Sequence, residues 1–198
     1  MLQTLNAELL SHDSATLTLQ RWCASHRLAS PPIVRAERVA GIDKPATDEQ
    51  RRELGITASD TVRYRRVRLL CGDLALSEAD NWYVPARLTA QMNRQLDSSD
   101  MPFGRVVQAL HFQRHTLAAT LLWLPLPAGW EMKPAATAAT AGVGADAAAS
   151  ADAEHDGLIV PPAVLQHRAV LSLPDGTPFS EVVETYTGNV LAFAPPGS

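Results

Sequence analysis

Residues 61–84 read TVRYRRVRLLCGDLALSEADNWYV and carry a clear pattern of β-structure. Two segments that alternate apolar and polar side chains, 61–71 and 76–84, flank the pair Gly72-Asp73. A Gly-Asp pair between two alternating segments is typical of a tight turn that joins antiparallel strands. The sequence therefore predicts a β-hairpin at the centre of the chain.

Helices and further strands are predicted on both sides of this hairpin. Before it, the patterns predict helices over 2–10 and 14–27 with Asp13 or Ser14 as the N-cap, a strand over 33–40, and a brief helix from Thr47 to Gly55. After it, they predict helices over 85–96 and 103–110 and strands over 116–124, 164–173 and 179–187. About six strands, with helices gathered in the first half and between hairpins, predict an α+β fold around a mainly antiparallel sheet.

The composition changes abruptly at residues 133–156, which read KPAATAATAGVGADAAASADAEHD. The side chains are nearly all small or polar, so the segment has little apolar surface to bury against the loss of backbone entropy. We therefore expect a flexible alanine-rich insertion loop within a single domain that spans residues 1–198.

Charge and hydropathy exclude several classes of protein. The formal net charge of −4 argues against a nucleic-acid partner, which would call for a basic surface. The longest apolar run, 117–126, is about ten residues long and is interrupted by Pro125, whereas a membrane span needs roughly twenty. The first residues lack the pattern of a secretory signal. We expect a cytoplasmic protein without a membrane partner, in which Cys23 and Cys71 are reduced thiols.

Short stretches spread over nearly the whole chain resemble the chorismate pyruvate-lyase family. They are RVRLLCGD at 66–73, WYVP at 82–85, MPFGR at 101–105, Arg114, the strand around Arg168, the segment 178–193 with Glu184 at the acidic position, and LLSHDS at 9–14. The resemblance implies the chorismate lyase-like fold, which the effector-binding domains of one group of bacterial winged-helix regulators share. The alanine-rich segment is an insertion relative to that family.

The resemblance also implies a reaction and a set of site residues. Chorismate lyases eliminate pyruvate from chorismate and leave 4-hydroxybenzoate without a cofactor, so the implied partner is a small-molecule carboxylate. The catalytic candidates are Arg66, whose forked donors suit the ring carboxylate, and Glu184, which suits proton transfer. The further substrate-binding candidates are Ala15, Phe103, Gly104, Arg114 and Arg168.

Several alternatives remain open at this point. One extra residue lies between Pro178 and Glu184 relative to the family, so Glu181 competes for the acidic position. Strand alternation places Arg66 on one face with Val62, Tyr64 and Leu70, which suggests an inner face, but Arg68 shares that face and parity does not separate them.

The function also has more than one interpretation. An enzyme is the leading one, and a binding or sensing protein for an aromatic carboxylate, without catalysis, is the alternative because fold alone does not give function. His111 and His115 have the spacing of a helical metal pair but lack a further ligand, so no metal site is predicted. The sequence does not distinguish a monomer from a dimer.

Overall fold

A six-stranded antiparallel sheet forms the centre of the computed structural model, which describes residues 1–124 and 159–193. The strands are β1 (Val34–Arg38), β2 (Arg63–Cys71), β3 (Leu74–Tyr83), β4 (Gln113–Leu121), β5 (Ala163–Ser172) and β6 (Pro178–Thr187). Their order across the sheet is β1-β2-β3-β6-β5-β4, and each neighbouring pair is antiparallel. The helices are α1 (Leu2–Leu10), α2 (Ala15–Ser25), α3 (Asp48–Glu53), α4 (Ala90–Ser98) and α5 (Phe103–Val106). The predicted α+β fold with an antiparallel sheet is confirmed.

The central hairpin forms where the sequence predicts it. Strands β2 and β3 pair from Arg63↔Tyr83 to Cys71↔Leu74, and Gly72 in the turn has a φ of +57°. Glycine suits this left-handed conformation because it has no Cβ to clash with the following carbonyl. The register shifts by one residue between Leu69 and Leu70, which marks a β-bulge near the turn.

Two predicted helices are shorter than the sequence pattern indicates. Residues 85–96 do not form one helix: a 3-10 turn at Pro85–Arg87 is followed by Thr89, whose side chain accepts a hydrogen bond from Met92 N at 3.1 Å and starts α4. Threonine is a strong N-cap, so it begins a new helix where the apolar pattern alone suggests a continuous one. Likewise, α5 ends at Val106 and a separate 3-10 turn spans Gln108–Leu110.

Four helices, α1, α2, α4 and α5, cover one face of the sheet in two clusters. The first consists of apolar residues of α1 and α2 that pack on β1, β2 and β5, with Leu5, Leu19 and Trp22 fully or almost fully buried. The second joins α4 and α5 to Tyr83, Leu171 and Phe179. A narrow gap between the two clusters, over the middle of the sheet, positions the site described below.

Cys23 and Cys71 form a disulfide, so the expectation of reduced thiols is wrong. The two residues are 48 positions apart in sequence, but the end of α2 packs against the end of β2, and their Cα atoms lie 6.1 Å apart. Gln20 holds α2 in this place, because its side-chain oxygen accepts a hydrogen bond from Val34 N at 2.8 Å, and Val34 pairs with Cys71. Disulfides are more typical of oxidising compartments, so the expected cytoplasmic location stays a prediction.

Residues 133–156 lie outside the described residues, so the flexible loop and the single-domain boundary over 1–198 also stay predictions. Residues 1–123 and 160–193 belong to one compact unit. Within the two described stretches, none of the helices has the length and apolar character needed to cross a membrane.

Candidate functional site

A pocket opens between the helix-covered face of the sheet and the starts of α2 and α5. Its floor consists of the small and apolar residues Val67, Ala79 and Val182, which pack against one another from three adjacent strands. Phe103 and Phe112 add aromatic walls. The empty space is about 560 Å³, including the part that is open to solvent. We call this space the inner pocket.

Three of the sequence-predicted residues lie at the helical wall of the inner pocket. Ser14 caps α2, since its side chain accepts a hydrogen bond from Leu17 N at 3.3 Å, and the cap directs Ala15 toward the sheet. Phe103 and Gly104 start α5 on the other side of the opening. Since α5 has only four residues, helix-end polarity favours an anion at α2 more than at α5.

A buried ion pair, Arg114–Glu184, forms one side of the inner pocket. Arg114 Nη2 lies 2.6 Å from Glu184 Oε2, and the two side chains are 5% and 10% exposed. The hydroxyl of Tyr186 donates a hydrogen bond to the same oxygen at 3.1 Å. No group among the described residues donates to Glu184 Oε1, which leaves this oxygen for a ligand.

The electrostatics of this pair follow from its burial. Burial lowers the pKa of Arg114, but the adjacent Glu184 carboxylate more than offsets this, so the pKa of Arg114 is raised. Burial also raises the pKa of Tyr186 well above its ordinary value, and Glu184 adds to the shift. Tyr186 therefore remains a hydrogen-bond donor, and Arg114 keeps its positive charge.

Arg65 is the second cation of the inner pocket, and the sequence reasoning missed it. The residue is only 3% exposed, and its guanidinium donates to Met101 O at 2.9 Å and Ser99 O at 3.0 Å. Its Nε is buried without a partner, and no carboxylate of the described residues lies within ion-pair distance. Burial lowers the pKa of Arg65, and nearby Arg38 adds to this, although a guanidinium stays charged in proteins. A buried cation without a counter-anion is costly, and a bound anion would relieve that cost.

Arg66 lies on the opposite face of the sheet, so its predicted place on the inner face is wrong. The buried residues of β2 that face the inner pocket are Arg65, Val67 and Leu69. Arg66 instead forms an ion pair with Glu78, and its Nη1 lies 3.8 Å from Asp80 Oδ1. In the sequence, the apolar residues Val67 and Leu69 alternate with arginines and share the parity of Arg65. This pattern indicated that Arg65, rather than Arg66, lies on the inner face, and all three residues are buried in the structure.

Arg168 and Glu181 also lie outside the inner pocket, on the face that α3 covers. Arg168 Nε lies 2.9 Å from Glu181 Oε1, and Arg168 Nη1 lies 2.8 Å from Glu49 Oε1. Of the two glutamates left open by the sequence, Glu184 is the one that lines the inner pocket. The structure thus brings together Ala15, Phe103, Gly104, Arg114 and Glu184, and separates Arg66 and Arg168 from them.

A buried histidine supports the ion pair from behind. His167 is fully buried, its Nε2 lies 2.7 Å from Asn6 Oδ1, and its ring packs edge-on against Tyr186. Burial lowers the pKa of His167, which favours the neutral ring. The other two histidines considered above do not share a helix: His111 ends a 3-10 turn and His115 lies in β4. In residues 1–124 and 159–193, no group of three or more potential metal ligands comes together.

A known protein is similar to this chain in sequence over almost the whole length. The uncharacterized protein y4mC of Sinorhizobium fredii is 53% identical over 197 residues, which cover 99% of this chain and 77% of that protein. No family model matches the chain.

Two solved structures from Mycobacterium smegmatis are similar at 14% identity. The effector domain of PhnF has a TM-score of 0.51, with 89% of this chain and 90% of that chain covered. PhnF itself has a TM-score of 0.52, with 92% of this chain and 67% of the PhnF chain covered. These likenesses show the fold alone, which is that of the effector domains of GntR-family regulators and is also called chorismate lyase-like. From the identity over almost its whole length, the chain belongs to the family of protein y4mC of Sinorhizobium fredii.

Proposed function

We propose that this chain is a small-molecule binding domain whose inner pocket holds a compact aromatic carboxylate. The observation that carries the proposal is Arg65, a buried cation that faces the pocket without a carboxylate partner in the described chain. A ligand carboxylate would supply the missing negative charge. The planar fork of a guanidinium suits a carboxylate in particular.

The remaining lining suits a ring with a hydrogen-bond donor. Phe103 and Phe112 add aromatic rings to the lining, and the floor of Val67 and Ala79 is apolar. Glu184 Oε1 is an acceptor without a donor among the described groups, so a hydroxyl on the ring would satisfy it. A hydroxybenzoate has the carboxylate for Arg65, the aromatic ring and the hydroxyl donor for Glu184.

Binding is favoured over catalysis by two features of the site. Glu184 is held in an ion pair with Arg114, and a carboxylate in an ion pair accepts hydrogen bonds rather than donating a proton. Arg66, the other catalytic candidate from the resemblance, lies on the opposite face. The fold agrees with binding, since the similar domain of PhnF is an effector domain.

Elimination of pyruvate from chorismate remains the second candidate, because Glu184 lines the inner pocket as the resemblance requires. In that case the carboxyl would give a proton to the enolpyruvyl oxygen as its bond to the ring breaks, and the neighbouring ring carbon would lose a proton, which makes the ring aromatic. Incubation with chorismate distinguishes the two functions. Equal release of pyruvate and 4-hydroxybenzoate, lost in Glu184→Gln, would replace the binding proposal with the lyase.

The binding proposal is tested by calorimetric titration with 4-hydroxybenzoate, benzoate and the neutral 4-hydroxybenzamide. We expect the two carboxylates to bind and the amide to bind at least tenfold more weakly, since a charged hydrogen bond contributes about 1.5–3 kcal/mol. Arg65→Met should weaken carboxylate binding by a similar factor, and the matched control Arg66→Met should not. Circular dichroism establishes that both variants are folded. Equal affinity for the carboxylate and the amide, or equal losses in the two variants, would overturn the proposal.

A further inference from the structure

A buried asparagine, Asn81, lies next to Arg65 in the lining of the inner pocket. Asn81 belongs to β3 and pairs with Arg65 of β2 on one side and with Val182 of β6 on the other. Residues that pair directly across antiparallel strands point to the same face of the sheet, with Cβ atoms about 4.5–5.5 Å apart. All three residues line the inner pocket, and Asn81 is only 4% exposed. The amide of Asn81 is therefore within reach of a group that binds Arg65.

A hydroxyl behind the pocket wall fixes which end of this amide faces the inner pocket. Ser180 of β6 is fully buried, and its hydroxyl donates to Asn81 Oδ1 at 2.6 Å. Among the described residues, no acceptor lies within hydrogen-bond distance of the other end of the amide, Asn81 Nδ2. Asparagine is depleted in strands, and an amide that is buried without a partner is costly. An acceptor on a ligand would satisfy Nδ2 and remove this cost.

Arg65 leaves room for such a second donor. Two of its N–H groups already donate to the backbone carbonyls of Ser99 and Met101. An ionised carboxylate accepts hydrogen bonds on both of its oxygens, at about four lone-pair sites, which is more than the remaining N–H groups of Arg65 can fill. The amide of Asn81 adds a neutral donor beside the charge.

We propose that Asn81 is a specificity-determining residue of the inner pocket: its Nδ2 donates to one oxygen of the ligand carboxylate while Arg65 binds the other. Ser180 is the positioning residue that holds the amide in this orientation. The inference rests on the proposed function, because it takes the carboxylate to lie at Arg65. It goes further in naming what the pocket rejects. A carboxamide has the same shape, but its NH₂ group would face a donor at Arg65 or at Asn81.

Calorimetric titration with 4-hydroxybenzoate and 4-hydroxybenzamide measures this preference as a ratio of two affinities. Asn81→Leu removes the donor at similar volume and without a change of charge, so we expect the carboxylate affinity to fall about tenfold and the carboxamide affinity to fall much less. Asn81→Asp puts an acceptor in the place of the donor, so we expect the preference to reverse in favour of the carboxamide. The matched control is Asn93→Leu, which should keep the wild-type ratio, because Asn93 of α4 donates to Pro85 O at 2.9 Å and does not line the inner pocket.

Ser180→Ala tests the positioning role. Without the hydroxyl, the side chain of Asn81 can turn and present Oδ1 to the ligand as well as Nδ2, so the ratio should fall severalfold while the carboxamide still binds. Ser77→Ala is the same change at a buried serine of β3 that does not line the inner pocket, and it should leave the ratio unchanged. Circular dichroism establishes that the variants are folded. An unchanged ratio in Ser180→Ala would overturn the role given to Ser180.

The outcomes separate this inference from the proposed function. If the wild-type protein prefers the carboxylate and loses this preference in Arg65→Met, but Asn81→Leu keeps the ratio, the binding proposal stands and the role of Asn81 is overturned. A carboxylate preference that survives Asn81→Asp overturns that role as well. If the wild-type protein binds neither compound, the proposed function fails and the inference fails with it. Reversal in Asn81→Asp, with an unchanged ratio in Asn93→Leu, supports the assignment.

Discussion

Removal of one member of the buried Arg114–Glu184 pair should destabilise the fold more than the same change in the more exposed Arg66–Glu78 pair on the opposite face of the sheet. Arg114→Met would leave the Glu184 carboxylate 10% exposed with only the Tyr186 hydroxyl as a donor. Loss of one partner from a buried pair costs about 3–5 kcal/mol, because the remaining charge is left without compensation. Glu184 Oε1 faces the inner pocket, where water has access, so we expect the lower end of this range, about 3 kcal/mol.

Urea unfolding followed by circular dichroism measures this loss. A natural domain has a free energy of unfolding of roughly 5–15 kcal/mol, so a loss of about 3 kcal/mol shifts the urea midpoint clearly at an unchanged slope. Arg66→Met is the matched control. Its pair with Glu78 is 26% and 32% exposed, and an exposed pair contributes only about 0–1 kcal/mol.

A double-mutant cycle shows whether the loss comes from the pair itself. Glu184→Met should cost a similar amount, since it strands the Arg114 guanidinium. The double variant should then be destabilised by much less than the sum, with a coupling of about 2 kcal/mol. An Arg114→Met loss no greater than that of Arg66→Met, or strictly additive losses, would refute the view that this pair is a buried, mutually dependent unit.

Three further predictions concern the rest of the fold. Reduction of Cys23–Cys71, which are 48 positions apart, should lower the free energy of unfolding by roughly 4 kcal/mol on chain-entropy grounds; an unchanged urea midpoint with both thiols titratable would contradict this. Burial lowers the pKa of His167 below 6.5, so the unfolded chain binds a proton at this residue more readily than the folded chain does. The free energy of unfolding should therefore fall as the pH drops below about 6.5. A His167→Gln variant that keeps the full pH slope would show that another group is responsible. Gly72→Ala should lower the free energy of unfolding by about 1–2 kcal/mol more than Gly176→Ala, as measured by thermal unfolding. Both glycines have a positive φ, but only at Gly72 would a new Cβ lie 2.8 Å from a side-chain carbon, the Cβ of Ala29. Equal losses would exclude that contact as the cause.

Local signals predicted most of the fold correctly. The Gly72-Asp73 turn and the capping box at Thr47 depend on residues that are near one another in sequence, and both form as predicted. The start of α4 at Thr89 was missed because an apolar pattern continues across it. The disulfide could not be predicted from local pattern, since it depends on where α2 packs relative to β2.

The pocket arginine was misassigned for a reason that lies in strand β2 itself. Arg63, Arg65, Arg66 and Arg68 give the strand little contrast between its faces. Residues 69–71 are all buried, but only Leu69 and Cys71 belong to the core under α1 and α2, whereas Leu70 pairs with the exposed Arg35 of β1. The residue that the bulge skips is Leu76 of β3, so the alternation along β2 is unbroken. A face assigned from Leu70 therefore carries Arg66 and Arg68, whereas a face assigned from Val67 and Leu69 carries Arg65.

The two faces of the sheet treat arginine differently, and this difference bears on the charge of the ligand. On the α3 side, Arg168 lies near the carboxylates of Glu49, Glu53 and Glu181. The inner pocket is lined by two guanidinium groups, those of Arg65 and Arg114, and by two carboxylates, those of Asp13 and Glu184. Glu184 pairs with Arg114, whereas Arg65 is buried and has no carboxylate of the described residues within ion-pair distance. A ligand with one acidic group on its ring would compensate the charge of Arg65, whereas a second acid in the inner pocket would be left unpaired at a large desolvation cost.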